Sequence, residues 1–573
     1  MMNKKILIAG FFVSVMLLVP INSAYSNIGI QTDTKPIIQS NRGDTLYVGG
    51  SGPGNYSNIQ DAIDNATNGT TIFVYDDSSP YIESPFINKS INLIGESKNT
   101  TVIDGNSGGS VFIITADWVN LSCFTIQNSE KAGINSKASH LKIIDNIFIN
   151  NEWCGIYLES SHHNVICKNV IDNNGHGLYL KSNNNIISEN IISSNNNGIF
   201  FASTKGNTVK NNSIIDNSNN GIDLSLGRDN LIENNDIISS KNGIWVFDTK
   251  NNTISGNNIN KNSDGIQFVS SDHINIYGND ISDNNIGIIL GNSVENNFID
   301  NIFLNNIKKG IYLESSSYNN KISNNIFSDN LIGFHIRPDC SDNIISDNMF
   351  FNDGLFIESS LANIYLNNTV NGKPLYLLKG EKNKVLDNIN AGQIILINCN
   401  SITINNNDLS GTTIGIELFY CNYCIISGNN LSNNNQDGIF LRGSKNSITG
   451  NYISNNNRYG IYIIGNNNSI SRNHIMKNSY GLYWDGNINI VVENNFISNN
   501  NRDAHFRIDD FDVFSTNWNR NFWDRGRIIS KAIFGIKLLL IYSYYKNGHY
   551  YYLSLWVPWI VIDKNPAKVQ YKI

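Results

Sequence analysis

The 573-residue sequence predicts an all-β fold, a right-handed parallel β-helix solenoid with coils of about 22 residues, an N-terminal helical cap and an aromatic C-terminal cap. Three observations predict it. First, a glycine followed by apolar, any and apolar residues recurs from Gly133 to Gly354 and again from Gly415 to Gly481, with steps of 21 to 23 residues. Second, short Asn-x-Ile phrases such as Asn257-Asn258-Ile259 lie between the glycines, so each unit holds two or three period-2 apolar segments and no room for a helix. Third, charged residues are only 16% of the chain, so Ala/Glu/Lys helical patterning is scarce.

Stacked coils place equivalent strands side by side in parallel, about 4.8 Å apart, and crossover chirality favours the right-handed form. Asparagine tolerates the left-handed backbone at bends. Its amide also bonds the asparagine one coil away. A single coil buries too little to offset its ordering, so neighbours must share faces and the ends must be capped.

The elements follow in order. Residues 1–26 have the layout of a signal peptide: Lys4 and Lys5, an apolar run from Ile6 to Ile21, and the small residues Ala24 and Ser26. An uncleaved anchor is the alternative there. A linker over 27–44 leads to the N-terminal cap and first coils, 45–125. Within it Ser57-Asn58-Ile59-Gln60 has the capping-box pattern, and Ser57–Ala66 is expected to form a helical lid. Regular repeats fill 126–359, irregular coils 360–414, regular repeats again 415–505, and the aromatic cap 506–573. No segment after the leader reaches the length of a membrane-spanning helix. The net charge of −7, with no compensating Lys/Arg cluster, argues against a nucleic-acid partner. Seven cysteines in so long a chain do not make a disulfide scaffold.

These repeats resemble the exported β-helix proteins called NosD-like, within the pectin-lyase-like superfamily, whose repeats also occur in carbohydrate-binding and sugar-hydrolase (CASH) domains. The resemblance rests on Ile59-Gln60-x-Ala62-Ile63, on Ile91-x-Leu93-Ile94-Gly95-Glu96, and on Asn371-Gly372-Lys373-Pro374-Leu375-Tyr376 followed by Gly392 to Cys399. The phrase Asn519 to Arg525 resembles the C-terminal caps of archaeal relatives. It covers most of residues 45–573 and implies the fold. The family name also implies an accessory role in assembling a periplasmic copper centre, which would need metal ligands.

Four groups of residues are candidates for chemistry. In each Gly-Ile-x-Leu strand the x residue should face out. Aromatic residues dominate these positions as Tyr157, Tyr179, Phe200, Trp245, Tyr312, Phe356, Phe440, Tyr462 and Tyr483, with Asp223, Gln267, Ile289, His335 and Glu417 between them. Such a row can stack on sugar rings or grip a surface protein, although aromatics also simply suit exposed strands. Two residues further along lie Glu314, Arg337 and Glu358 on consecutive coils, an acid/base arrangement or an ion-pair ladder. His140 and His162 are 22 residues apart, as are Cys154 and His176, so each pair should stack, but a metal site wants three or four ligands. Cys399 and Cys421 share that spacing and are expected to form a bridge or a cysteine ladder.

The function these residues predict is an exported cell-surface protein that binds polysaccharide or a surface partner through the aromatic row without catalysis or cofactor. A polysaccharide lyase or hydrolase using Glu314, Arg337 and Glu358 is the first alternative. A copper-centre accessory protein using His140, His162 or His176 is the second. Oligomeric state is left open.

Overall fold

The structure, a computed structural model, describes residues 45–358, 362–487, 489–508, 517–524, 531–546, 549–563, 566–567 and 570. The expected signal peptide and linker lie outside the described residues, as does part of the expected C-terminal cap. The described chain is nearly all β, a parallel solenoid of about 21 turns with ~22-residue spacing. Among the described residues no helix is long and apolar enough to cross a membrane.

One coil shows why the sequence folds this way. Thr253–Ser255, Asn258–Asn260 and Asp264–Val269 are its three strands. Ile254, Ile259, Ile266 and Phe268 point inward and are fully buried. Each strand pairs in parallel with its equivalent one coil on: Ile254 with Ile276, Ile259 with Ile281, Ile266 with Ile288. The repeat glycine has a packing cause. A Cβ on Gly265 would lie 2.4 Å from the carbonyl oxygen of Gly287 in the next coil, so only glycine lets the backbones approach.

Asparagine plays two separate parts. At one bend the left-handed residue is Asn234, Gly256, Gly278 or Asp300 on successive coils, with φ of 54°, 63°, 63° and 56°. The residue after it, Asn235, Asn257, Asn279 or Asn301, is buried and builds a ladder. Asn257 donates through N and Nδ2 to Asn279 Oδ1 at 2.9 and 3.0 Å, and Nδ2 also reaches the carbonyls of Ile232 and Ser255. The Asn-Asn dipeptide is therefore a bend residue followed by a rung.

The N-terminal lid is the helix Ile59–Asn65. Its N-cap is Asn58, without a side-chain cap bond. The expected capping box is replaced by Glu83 of the following coil, whose carboxylate accepts from the backbone N–H groups of Ile59 and Gln60 at 2.9 and 3.1 Å.

The solenoid is not one continuous stack. One 15-stranded sheet runs from Thr45–Val48 to Ile364–Leu366, and a 13-stranded one from Phe86–Ile87 to Leu355–Ile357. There both end. Thr369–Val370 turns through Asn371 and Gly372, both in the left-handed region, and pairs antiparallel with Lys373–Lys379. A second parallel stack follows, through Gln393–Ile397, Ile416–Phe419, Ile439–Arg442, Tyr459–Ile464, Tyr480–Asp485 and Arg502–Ile508. Each stack has its own core, the first from Val48 to Val370 with Ile395 and Ile397, the second from Leu386 to Ile533. The second is closed by stacked aromatics: Trp523 lies 4.5 Å from Phe496, and Trp484 4.9 Å from Trp518. Buried Asp563 accepts from Asn521 and the Trp523 indole. Lys531–Lys546 and His549–Asp563 form a long antiparallel hairpin beyond them.

At the junction, side chains take the place of the missing next strand. Thr413 Oγ1 accepts from Gly354 N at 2.8 Å, Gln393 Oε1 from Leu355 N at 3.1 Å, and Glu417 Oε2 from Ile357 N at 3.2 Å. Asn435 Nδ2 reaches the Asn330 and Asn352 carbonyls of the first stack at 2.9 and 2.5 Å. The sheet edge is thereby satisfied without offering a template for another strand.

Candidate functional site

The x positions form a register-aligned column in both stacks, but not an evenly open one. Tyr157 pairs with Tyr179, Tyr179 with Phe200, Phe200 with Asp223 and Asp223 with Trp245. Tyr179 lies 5.4 Å from Tyr157 and 4.8 Å from Phe200. Trp153 folds over this group, 4.6 Å from the Tyr157 ring, and His176 flanks it 5.5 Å from Phe200. The expectation that each row residue faces solvent therefore needs correcting. Tyr157 and Phe440 are each only 7% exposed, because neighbouring rings cover them. Asp223 interrupts the row between Phe200 and Trp245. It accepts from Asn220 and Ser225, and burial pushes its carboxyl up.

The longest unbroken run of rings crosses the junction. His335 is sandwiched between Tyr312 and Phe356, centroids 4.9 and 4.8 Å away and planes within 27° and 26°. Phe356 meets Phe440 of the second stack edge-on at 5.4 Å. The run continues Phe440–Tyr462 at 5.2 Å, Tyr462–Tyr483 at 4.7 Å and Tyr483–His505 at 4.8 Å. The junction thus joins two aromatic columns that are 84 residues apart in sequence at Phe356 and Phe440.

Charged groups surround the first half of this run. His335 Nε2 lies 2.8 Å from Glu358 Oε1. Burial pulls the imidazole below its usual value, so the neutral ring donates Nε2–H to the carboxylate. The same bond holds the Glu358 carboxyl below the usual range. His335 Nδ1 is buried with no partner among the described residues. Lys309 sits 3.1 Å over the Tyr312 ring centroid, and burial pulls its amine down to about 8. Arg337 is exposed and bonds Tyr312, with Glu358 further off, so the expected Glu314–Arg337–Glu358 ladder is not what forms; Glu358 pairs with His335 instead.

The second half is denser than the x positions alone indicate. Tyr459 lies 5.1 Å from both Tyr462 and Tyr480, and Tyr480 5.3 Å from His505. Arg458 stacks over Tyr459 and Tyr462 at 5.2 and 5.1 Å and forks onto buried Asp437. Glu417, at the head of this column, is fully buried against the junction, not outward. Lys309, Tyr459, Tyr480 and His505 were not among the sequence candidates. The first three directly precede a repeat glycine or its equivalent, which was the available signal.

The copper role that the resemblance implies would need donors that converge on one point, and the histidines do not supply them. His140 stacks on His163 at 5.4 Å with planes within 18°, and Trp118 covers its other face at 4.0 Å. Parallel imidazoles aim their in-plane nitrogens alongside one another, not at one point. His162 Nδ1 accepts from Asn183 N, and His176 Nδ1 lies 3.2 Å from Asn197 Nδ2. Among the described residues no group of three or more His, Cys, Asp or Glu could hold a metal ion. This donor set does not fit copper.

The cysteines are free thiols. Cys399 and Cys421 make the ladder form of the expectation, not the bridge. Cys399 N donates to Cys421 Sγ at 3.4 Å, and each thiol bonds backbone carbonyls inside the second core. Cys421 stands where Ser161 and Ser182 stand in other coils, three residues before a rung.

Comparison with known proteins gives the fold a family. No curated protein matches the chain. Among solved structures it resembles the A-module of the mannuronan C-5 epimerase AlgE6 of Azotobacter vinelandii, at 16% identity and TM-score 0.41, over 55% of this chain and 93% of that one. It also resembles an alginate lyase from Paenibacillus, at 15% and 0.31 over 55% and 96%. A third is a PL6 family alginate lyase, AlyGC, at 11% and 0.43 over 84% and 89%. Likeness at this level concerns the fold alone. Residues 91–237 match the right-handed beta helix region. Residues 181–309, 281–371 and 352–532 match the family described as periplasmic copper-binding protein (NosD), and with more than half its length so matched the chain belongs to the NosD family.

Proposed function

We propose that the protein is a non-catalytic carbohydrate-binding solenoid of the cell envelope, working outside the cytoplasm behind the leader-like residues 1–26. One observation carries the reading: the ring-on-ring run from Tyr312 through His335, Phe356, Phe440, Tyr462 and Tyr483 to His505, continued across the junction of the two stacks. Tyr312, Tyr462, Tyr483 and His505 remain part-exposed, so their rings are available to the flat faces of pyranose rings. Coil spacing sets neighbouring platforms about 4.8 Å apart, a repeat suited to an extended polymer and not to a lone small molecule.

The test is retention of the purified chain on immobilised polysaccharides, with released fragments scored in the same samples. Retention without fragments, lost in the pair Tyr462→Ala and Tyr483→Ala, is the expected result. Retention that survives both changes would remove the row from the binding account.

A second reading has one observation in its favour. The His335–Glu358 pair and the depressed Lys309 amine beside Tyr312 are acid/base groups in one place. Under that reading fragments appear and Glu358→Gln abolishes them while retention persists.

A further inference from the structure

The register of the second stack shows a feature of this face that the aromatic row alone does not. The row Phe440–Tyr462–Tyr483–His505 has a flanking column on each side. Two residues along the strands lie Arg442, Ile464, Asp485 and Arg507 in register. Three residues back lie Tyr459, Tyr480 and Arg502. The inward residues Ile461, Ile463, Leu482 and Trp484 are fully buried, so the row and the Arg442 column share the outer face, and the Tyr459 and Tyr480 rings reach the row at 5.1 Å from Tyr462 and 5.3 Å from His505.

The charges on that face do not cancel. Arg458 is consumed by buried Asp437. Arg507 lies 3.7 Å from Asp485. Asp503 beside Arg502 accepts from Asn499 Nδ2, a neutral amide that leaves its negative charge in place. Arg442 is half-buried and stacks over the Tyr420 ring at 4.9 Å, and Arg502 is exposed. Arg442, Arg458, Arg502 and Arg507 therefore stand against Asp437, Asp485 and Asp503, which leaves this face one positive charge over in a chain whose net charge is −7.

We infer that the ligand of this face is an acidic polysaccharide, its sugar rings stacked on Tyr462, Tyr483 and His505 and its carboxylate or sulfate groups taken by Arg442 and Arg502. Guanidinium forks match planar carboxylates and sulfates in two-point bonds, and the acidic chain as a whole repels the same polymer elsewhere. The inference rests on the carbohydrate reading above and narrows it to a charge class.

The experiment uses the full chain with three soluble probes of matched length: polygalacturonate, dextran sulfate and neutral dextran. The expected result is binding of one or both acidic probes, weakened at high salt, and weaker binding of neutral dextran. Arg442→Gln and Arg502→Gln each reduce affinity for the acidic probe by about tenfold. Lys142→Gln, on a first-stack strand away from this face, leaves it unchanged. A preference for polygalacturonate assigns the anion as carboxylate, and for dextran sulfate as sulfate. Equal binding of neutral dextran, still lost in Tyr483→Ala, overturns the acidic class and leaves the carbohydrate reading standing. Binding of none of the three, with neutral and acidic panels negative on immobilised supports as well, overturns both. Acidic binding indifferent to Arg442 and Arg502 overturns the assignment to this face.

Discussion

At the level of single residues, position on the coil matters more than residue type. Asn279 donates Nδ2 to the carbonyls of Ile254 and Tyr277 and to Asn301, and its Oδ1 accepts from Asn257. Asn279→Leu leaves several buried polar groups unpaired, each costing about 1–3 kcal/mol. Asn275, four residues earlier, is exposed and accepts only from Asn297. Asn275→Leu should change stability by about 0.5 kcal/mol or less. Denaturant midpoints of the two variants check the contrast, and equal shifts would contradict the rung assignment. Glu417 gives a pH signature. Burial holds its carboxyl well above the usual carboxylate range, with Ile357 N–H and Gln393 as its partners. A raised carboxyl pKa means the unfolded chain ionises first. The stability Glu417 confers is thus present at acid pH and lost as pH rises above about 4.5, the unfolded value. Glu417→Gln removes that loss. The variant should match the parent near pH 4 and exceed it near pH 7, measured by chemical denaturation at both.

At the level of elements, the junction strand Gln393–Ile397 is the test case. Gln393 donates Nε2 to Leu355 O at 2.7 Å and accepts from Leu355 N, so one side chain substitutes for a strand. Gln393→Leu should expose the amides of residues 354–357 to hydrogen exchange and lower stability by about 2–4 kcal/mol. Unchanged protection there would mean the edge is held by packing alone. This junction was only partly legible in the sequence. The interruption of the glycine repeat between Gly354 and Gly415 marked where it lies. That the chain reverses at Asn371-Gly372 and starts a second core was not legible, because it depends on side chains of Gln393, Thr413 and Glu417 meeting a strand 38 to 60 residues away. The strands themselves were legible, since a period of two within a period of 22 leaves little choice of inward face. The aromatic row was visible for the same reason. Tyr459, Tyr480 and Lys309 were not, because a residue beside the repeat glycine belongs to no alternating pattern until the register is known, and His505 was not, because Asp503 stands where its coil would carry the marker glycine. Within the Glu314–Arg337–Glu358 grouping, spacing gives adjacency and not partnership: sandwiched His335 is closer to Glu358 than Arg337 is.

At the level of the whole solenoid, the two cores share one strand. Ile395 and Ile397 of Gln393–Ile397 belong to the first core, while Ile394 and Leu396 belong to the second. All five residues of that strand are buried, so alternate side chains face opposite stacks. In a solenoid each coil draws its stability from its neighbours, and an uncovered end frays. The second stack is then the cap of the first, and the shared strand is where the two are coupled. The same coupling holds Phe356 against Phe440 and keeps the aromatic run continuous, so the ligand-binding face depends on it. Ile395→Ala and Ile394→Ala remove the same atoms one residue apart, each at about 2–5 kcal/mol. If the coupling is as described, hydrogen exchange should separate them. Ile395→Ala loosens the last coils of the first stack, residues 332–357, and Ile394→Ala loosens residues 416–442 of the second. Both should also weaken polysaccharide retention, because either breaks the row at Phe356–Phe440. Identical exchange patterns for the two variants would show a single core and overturn the two-stack account. Separate patterns with retention intact would confine binding to Tyr462, Tyr483 and His505, on the second stack alone.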